Sequence, residues 1–425
     1  MDIRVKPCSL AGSVSAPLSK SEFHRVLICS ALSDRETVIS CTGNRAFQLP
    51  DDIKATISCL ESLGAKITVL SDSVTVTPID RTAVPERPVL DCKSSAATLR
   101  FLIPVACALN CSPSFTGSAL LARRPVADIL SCLSDHGIVF TGDRLPFSAC
   151  GEMTGGEFFI PGNISSQYLS GLLMALPIME PSSVTVTTDL YSSGYVSVTR
   201  QVMSGFGADI SCEGRKYMLS SERGYMSPSR FNVGGDWSGA AVLLTAGLIC
   251  GNSAISVDGL DIFSEQADKA IISILNSMRG TCAIGNEIST RYGHLRGAEI
   301  DMNENPDLFP ILAVAASVAE GTSRFTGVER LRAKESDRID SVISLVTSLG
   351  GNAVFCDGDV IIRGVPSLKG GIIDTFSDHR IAMAGVIAAA ASREGAVIKG
   401  AECISKSWPD FLECFRSLGG EYDVI

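Results

Sequence analysis

The chain has 425 residues, more than one hydrophobic core usually serves, so two domains are expected. A net charge of −10 and a pI near 5.0 argue against a nucleic-acid partner, because polyanion binding draws on broad Lys and Arg surfaces. An anion bound here must therefore meet a local basic pocket.

Met1 leads straight into the strand-like Ile3-Arg4-Val5, so no signal or transit segment is expected. The apolar runs over 240–250 and 381–391 are too short to span a bilayer and read as buried helices, so a cytoplasmic protein with no membrane partner is expected. Fifteen Cys are scattered with no Cys-x-x-Cys pair and read as small buried hydrophobes in a reducing cytosol. His24, His136, His294 and His379 lie far apart without metal-ligand spacing, so no metal is expected.

An internal repeat runs through the chain. Amphipathic segments end near Gly64, Gly137, Gly207, Gly280, Gly350 and Gly419, at intervals of about 70 residues, each followed by strand-like alternation. Gly at those places predicts a left-handed helix cap. In step with this series, six very apolar helices begin near Arg25, Leu99, Leu169, Gly239, Leu308 and Arg380, each behind a polar cluster. The clusters are Ser19-Lys20-Ser21, Lys93-Ser94-Ser95, Ser165-Ser166-Gln167, Asp236-Trp237-Ser238, Asn305-Pro306-Asp307 and Ser377-Asp378-His379-Arg380. Any one of them is adequately explained as an N-cap. Six in register predict helix N-termini on a common side, where free N–H groups and helix dipoles favour anions.

Two helices and several short strands per unit make a mixed α/β fold, with three units per lobe. The chain is expected to cross between lobes near Pro17–Ser19 and Val233–Asp236, giving one lobe of residues 1–17 and 235–425 and an inserted lobe of 18–234. The strand at Ile3–Val5 precedes the first complete unit, so the last lobe is expected to recruit it. The active site is then expected in the cleft between lobes. Segments 71–88 and 213–230 read as hairpins and loops.

Lys20 at a helix start opposes the dipole unless an anion compensates it, which makes it a ligand candidate. Arg100 reads as a buried structural charge or a ligand, and Arg124, before a helix-starting Pro125, as an anion binder. Ser165, Ser166 and Gln167 suit hydroxyls or phosphate oxygens, with Ser192 and Tyr195 a weaker set. Asp307 stands against an apolar helix, where partial burial would raise its pKa toward base duty; a plain cap is the alternative. The window 330–338 holds Arg330, Arg332, Lys334, Glu335, Asp337 and Arg338, either a solvated face or a site with cations for anions and carboxylates for protons.

Lys20-Ser21 with Arg25, Arg124-Pro125, Ser165-Ser166-Gln167, Ser192 with Tyr195, Pro306-Asp307, Lys334-Glu335-Ser336-Asp337-Arg338, Asp378-His379-Arg380, and Lys406 with Pro409-Asp410 together resemble the 5-enolpyruvylshikimate-3-phosphate synthases, in order along the whole chain. The resemblance implies a two-lobe inside-out α/β barrel, each lobe three βαβαββ units around buried parallel helices. It implies transfer of enolpyruvyl from phosphoenolpyruvate to the 5-hydroxyl of shikimate 3-phosphate, by addition and elimination through a tetrahedral intermediate, with no cofactor. Carried over, Lys20, Ser21, Arg25, Ser165, Ser166, Gln167, Ser192, Tyr195, Asp307 and Lys334 would hold shikimate 3-phosphate. Lys20, Ala96, Arg124, Gln167, Arg338, Arg380 and Lys406 would surround phosphoenolpyruvate. Asp307 would act as base and Glu335 as the acid at the methylene carbon, with Lys20 assisting. A monomer is expected, since one chain supplies both lobes.

The chain departs from the family at Ser94-Ser95-Ala96, where many relatives carry a Gly-containing triplet; the Ala96 methyl implies poor glyphosate binding. Arg330 and Leu331 replace an Asn and a Trp of some members. UDP-N-acetylglucosamine enolpyruvyl transferases resemble it less, because Ala119 stands where they have Cys and Lys20-Ser21 where they have Lys-Asn. An RNA-cyclase-like protein fits the acidic surface poorly, and a pure binding protein would not favour keeping both Asp307 and Glu335.

Overall fold

The computed structural model describes residues 1–41, 48–219, 224–251 and 253–425. The loop reading over 213–230 therefore includes four residues, 220–223, outside the described ones. The chain divides into two compact units, Met1–Pro17 with Gly235–Ile425, and Leu18–Gly234.

Among the described residues twelve α-helices alternate between two kinds. In the unit of 18–234 they are α1 (Lys20–Ala31), α2 (Asp51–Ser62), α3 (Ala96–Ala108), α4 (Ala127–Ser134), α5 (Ser166–Ala175) and α6 (Ser193–Gly205). In the other unit they are α7 (Trp237–Ile249), α8 (Ile271–Ser277), α9 (Phe309–Ser317), α10 (Arg338–Ser348), α11 (His379–Ala390) and α12 (Phe411–Ser417). The odd-numbered helices are buried on nearly every face beyond their first turn, and α9 and α11 are buried along their whole length. The even-numbered helices bury one stripe only, as in α10, where Ile339, Val342, Leu345 and Val346 point inward.

Among the described residues six sheets lie outside these helices, each of four strands and none closed on itself. In four of the described sheets a parallel pair joined through a buried helix is extended by antiparallel strands; in the other two the parallel partners come from distant segments. Strand Val89–Asp91 pairs with Ser114–Thr116 in register Leu90 with Phe115, and Phe115 pairs in turn with Phe147. The arrangement is an inside-out α/β fold of two lobes, three βαβαββ units in each.

Both crossings leave sheets to be completed by distant segments. Ile3–Val5 sits between Ala396–Lys399 and Tyr422–Val424, antiparallel to both, with Ile3 opposite Ile398 and Val424. Gly12–Ser15 pairs in parallel with Ala254–Asp258, and Arg230–Val233 with Thr37–Cys41. Each unit then closes on itself at its ends: Ser19 N–H donates to the Gly234 carbonyl at 2.9 Å, and Asp236 N–H to the Pro17 carbonyl at 2.7 Å.

Five of the six repeat glycines are left-handed after their helix, Gly64, Gly137, Gly207, Gly350 and Gly419. At the sixth, the left-handed residue is Arg279, with φ 64°, and Gly280 is not in that region. Gly280 serves packing instead, since a Cβ there would stand 2.7 Å from Leu248 Cδ1. Among the described side chains the cysteines are free, and most are buried as expected; Cys150, Cys212 and Cys356 correct that reading, being exposed on strands. Among the described residues no helix is long and apolar enough to cross a membrane.

Candidate active site

The first turns of the buried helices gather within each unit, and the polar clusters of the sequence meet there. Four of the six clusters cap as Ser and Asp caps do: the side chains of Ser19, Ser95, Asp236 and Asp378 accept from backbone N–H groups of the turns they open. Ser165 does the same for Gln167 N–H. Asp307 does not. It makes no cap for α9, and its carboxylate turns instead to two arginines.

In the unit of 235–425 the centre is Arg338, 1 % exposed at the mouth of α10. Its Nη1 donates to Asp307 Oδ1 at 2.6 Å, its Nη2 to Glu335 Oε2 at 2.9 Å and its Nε to Asp378 Oδ2 at 2.9 Å. Arg380 Nη2 reaches Asp307 Oδ2 at 3.3 Å. One planar fork thus holds three carboxylates from three segments far apart in sequence, a task that a lysine ammonium could not do with fixed geometry. Lys334 stands beside this group in extended backbone, and burial pulls its ammonium down to about 8 against the attraction of Asp307. Lys406 closes the last turn of the 401–406 segment and is buried.

Asp307 corrects the expectation made from its apolar neighbourhood. Burial does push its pKa upward, but the cations Arg338, Arg380 and Lys334 outweigh it and hold the carboxyl well below the usual range. The dense charged window also divides. Arg338, Glu335 and Lys334 turn inward, whereas Arg332 pairs with Asp337 at 2.6 Å and lies over Phe355 on the exposed side. Asp337, read as a possible proton carrier, caps α10 through the N–H groups of Ile339 and Asp340. Arg330 donates to the backbone carbonyls of Met302 and Asn303, which steadies the approach to Asp307.

In the unit of 18–234, Lys20 opens α1 with its ammonium 2.8 Å from Asp52 Oδ2, so the anion that offsets the helix dipole is part of the protein. Arg25, 2 % exposed, ties α1 to α6: Nε donates to Thr199 Oγ1 at 2.7 Å, Nη2 to the Tyr195 carbonyl at 3.0 Å and Nη1 to the Ser21 carbonyl at 2.5 Å. Burial lowers its pKa to about 10, which leaves it a cation at neutral pH. Ser192 stands in left-handed backbone ahead of α6 and Ser166 is buried in the first turn of α5. Arg124 ends a short 3-10 turn; the helix beyond Pro125 begins at Ala127, so Pro125 does not start it as expected. Ala96 is the first residue of α3, behind the Ser95 cap.

Arg100 organises more of this site than its reading as a buried charge suggested. It donates to Gln167 Oε1 at 3.0 Å, Ser165 Oγ at 3.3 Å and the Pro125 carbonyl at 2.9 Å, and packs over the Tyr168 ring. Asp52 and Asp268 were missed outright. Asp51-Asp52 look like ordinary acids of a helix first turn, and Asp268 lies in a stretch without any motif.

Comparison with known proteins agrees along the whole length. The family model described as EPSP synthase (3-phosphoshikimate 1-carboxyvinyltransferase) matches residues 5–415. A 3-phosphoshikimate 1-carboxyvinyltransferase from Clostridium acetobutylicum is 37 % identical over 426 residues, covering 99 % of this chain and 97 % of that protein. Another from Methanocorpusculum labreanum is 35 % identical and covers 99 % of each. The structure of EPSP synthase from Acinetobacter baumannii superposes with a TM-score of 0.80 at 25 % identity, covering 100 % of both chains. The enolpyruvyl transferase NikO from Streptomyces tendae, with a TM-score of 0.76 at 16 % identity and coverage of 99 % of this chain and 98 % of that one, shares the fold. With the family model and its curated relatives matching nearly end to end, the chain belongs to the EPSP synthase (3-phosphoshikimate 1-carboxyvinyltransferase) family, transferases of the shikimate pathway that leads to the aromatic amino acids.

Proposed function

We propose that the chain transfers the enolpyruvyl group of phosphoenolpyruvate to the 5-hydroxyl of shikimate 3-phosphate and releases phosphate, with both units acting on one pair of substrates. The observation that carries this reading is the pair of carboxylates, Asp307 and Glu335, gripped by the single buried guanidinium of Arg338, with Arg380 on Asp307. The cations that now hold Asp307 acidic are the ones proposed to receive phosphoenolpyruvate. When that anion takes up Arg338 and Arg380, their pull on Asp307 weakens and its carboxylate becomes a better base.

In the addition step the 5-oxygen bonds to C2 of phosphoenolpyruvate, Asp307 accepts the hydroxyl proton, and Glu335 gives a proton to C3. In the elimination step Glu335 takes a proton back from C3 and the C2–O bond to phosphate breaks, with Lys20 beside the leaving group. Ser21, Arg25, Ser165, Ser166, Gln167, Ser192, Tyr195 and Lys334 hold the shikimate 3-phosphate; Arg124, Gln167, Arg338, Arg380 and Lys406 hold phosphoenolpyruvate. Two multiply charged anions need this many fixed cations, and fixed partners spare the entropy of bringing them together.

Phosphate release from phosphoenolpyruvate, measured with shikimate 3-phosphate or UDP-N-acetylglucosamine as acceptor, tests the reading. Release with shikimate 3-phosphate alone is expected. Release with neither, despite binding of shikimate 3-phosphate, would reduce Asp307 and Glu335 to structural charges.

Ala96 carries a finer expectation. Its methyl group, at the first position of α3, narrows the phosphoenolpyruvate site, so glyphosate inhibits poorly and Ala96→Gly lowers the inhibitory concentration about tenfold or more. An ordinary high sensitivity in the parent chain would refute this.

A further inference from the structure

Asp268 lies in the 3-10 segment Ala267–Ala270, outside every cluster described by the sequence, and is 2 % exposed. A buried carboxylate needs partners, and its two oxygens divide them. Oδ2 accepts from Ser238 Oγ in the first turn of α7, and Oδ1 from Asn305 Nδ2 at 3.4 Å. Asn305 is itself buried, two residues ahead of Asp307, and its carbonyl accepts from Leu308 N–H at 3.1 Å, so the turn that presents Asp307 is closed on it. The charged groups facing Asp268 are Asp307, Asp236 and the guanidinium of Arg380, which also holds Asp307.

We propose that Asp268 is a positioning residue for the transfer reaction: it holds the Asn305–Asp307 turn in place and shares Arg380 with Asp307. The inference rests on the reading of Asp307 as the base. Asp268 competes for the positive charge that would otherwise make Asp307 too weak a base, and its negative charge repels the carboxylate form of Asp307. Its own pKa is raised to about 6, by burial first and then by Asp307.

The experiment compares kcat, KM for both substrates and the pH profile of kcat in the full chain for Asp268→Asn, Ser238→Ala and Asp307→Asn. Asp268→Asn is expected to lower kcat about tenfold or more, to leave KM for shikimate 3-phosphate within about twofold, and to move the acidic limb to lower pH by about one unit. The limb moves down because Asp307 loses a repelling neighbour, and comparison with the parent cancels the substrates' own phosphate ionisation. Ser238→Ala, which removes one donor and no charge, is expected to shift the limb in the same direction by a smaller amount, because Asp268 then holds its proton more readily and repels Asp307 less; it supplies the test if Asp268→Asn does not fold. A folded Asp268→Asn with parental kcat and an unmoved limb overturns the proposal. Asp307→Asn with parental turnover overturns the base reading instead, whatever the Asp268 variants do.

Discussion

At the scale of single residues, the site depends on charges whose protonation burial has moved. Lys334 is a cation below about 8 and neutral above it, because burial has lowered its pKa from the usual value near 10.5. In the role proposed for it, holding shikimate 3-phosphate, it should lose that grip as pH rises: binding measured by calorimetry weakens between pH 7 and 9, and Lys334→Arg flattens the dependence, since a guanidinium keeps its proton throughout. Asp268 runs the other way for stability. Its folded pKa lies about two units above the unfolded value, so its carboxyl disfavours folding once ionised. The stability it contributes is fully present below about pH 4 and lost as pH rises through about 6, a loss of about 3 kcal/mol. Asp268→Asn is therefore expected to unfold at higher denaturant than the parent at pH 7.5, with the difference vanishing toward pH 4. A charge that lowers stability at neutral pH fits the positioning role proposed for Asp268.

At the scale of elements, the caps of the buried helices are unequal, and their losses should rank accordingly. Ser95 caps α3 through Thr98 N–H and meets only neutral partners, so Ser95→Ala is expected to cost about 1 kcal/mol. Asp378 both caps α11 and accepts from Arg338 Nε, with the two side chains 0 % and 1 % exposed. Its removal leaves a buried guanidinium short of one anion, and Asp378→Ala is expected to cost about 3 kcal/mol or more in urea unfolding. Equal costs for the two would show that the Arg338 contacts add nothing beyond capping. Five clusters cap, and the one that does not, Asn305-Pro306-Asp307, hands its carboxylate to Arg338 and Arg380.

At the scale of the whole molecule, the exchanged strands decide what can stand alone. Residues 18–234 contain all the strands of their three sheets, since Arg230–Val233 completes the sheet of Thr37–Cys41, and their ends meet at Ser19 and Gly234. This segment is expected to fold by itself, with one cooperative thermal transition by circular dichroism. Residues 235–425 alone should not, because Ile3–Val5 pairs on both edges at the middle of one sheet and Gly12–Ser15 supplies another. Joining Pro17 to Gly235 should restore folding; a cooperative transition in 235–425 without residues 1–17 would contradict the account.

The six-fold repeat, the two kinds of helix and the recruitment of Ile3–Val5 were legible in the sequence because they follow from local rules. Periodicity in apolar residues reports which helices have a face to bury, and Gly or Ser at fixed offsets reports where they begin and end. The resemblance of ordered motifs carried the reaction as well. Local rules also name their own exception poorly: Gly280 occupies the repeat position while Arg279 adopts the left-handed backbone, since packing against Leu248 governs that turn. What only the tertiary structure decided is which charges meet. Arg338 joins Asp307, Glu335 and Asp378, Lys20 finds Asp52, and Asp268 stands behind Asn305, pairings between residues up to 40 positions apart. An ionisable side chain takes its pKa from the charges and solvent around it, and those are set by the approach of distant helix ends. The burial that the sequence implied for Asp307 was real, yet the arginines brought beside it reversed its consequence.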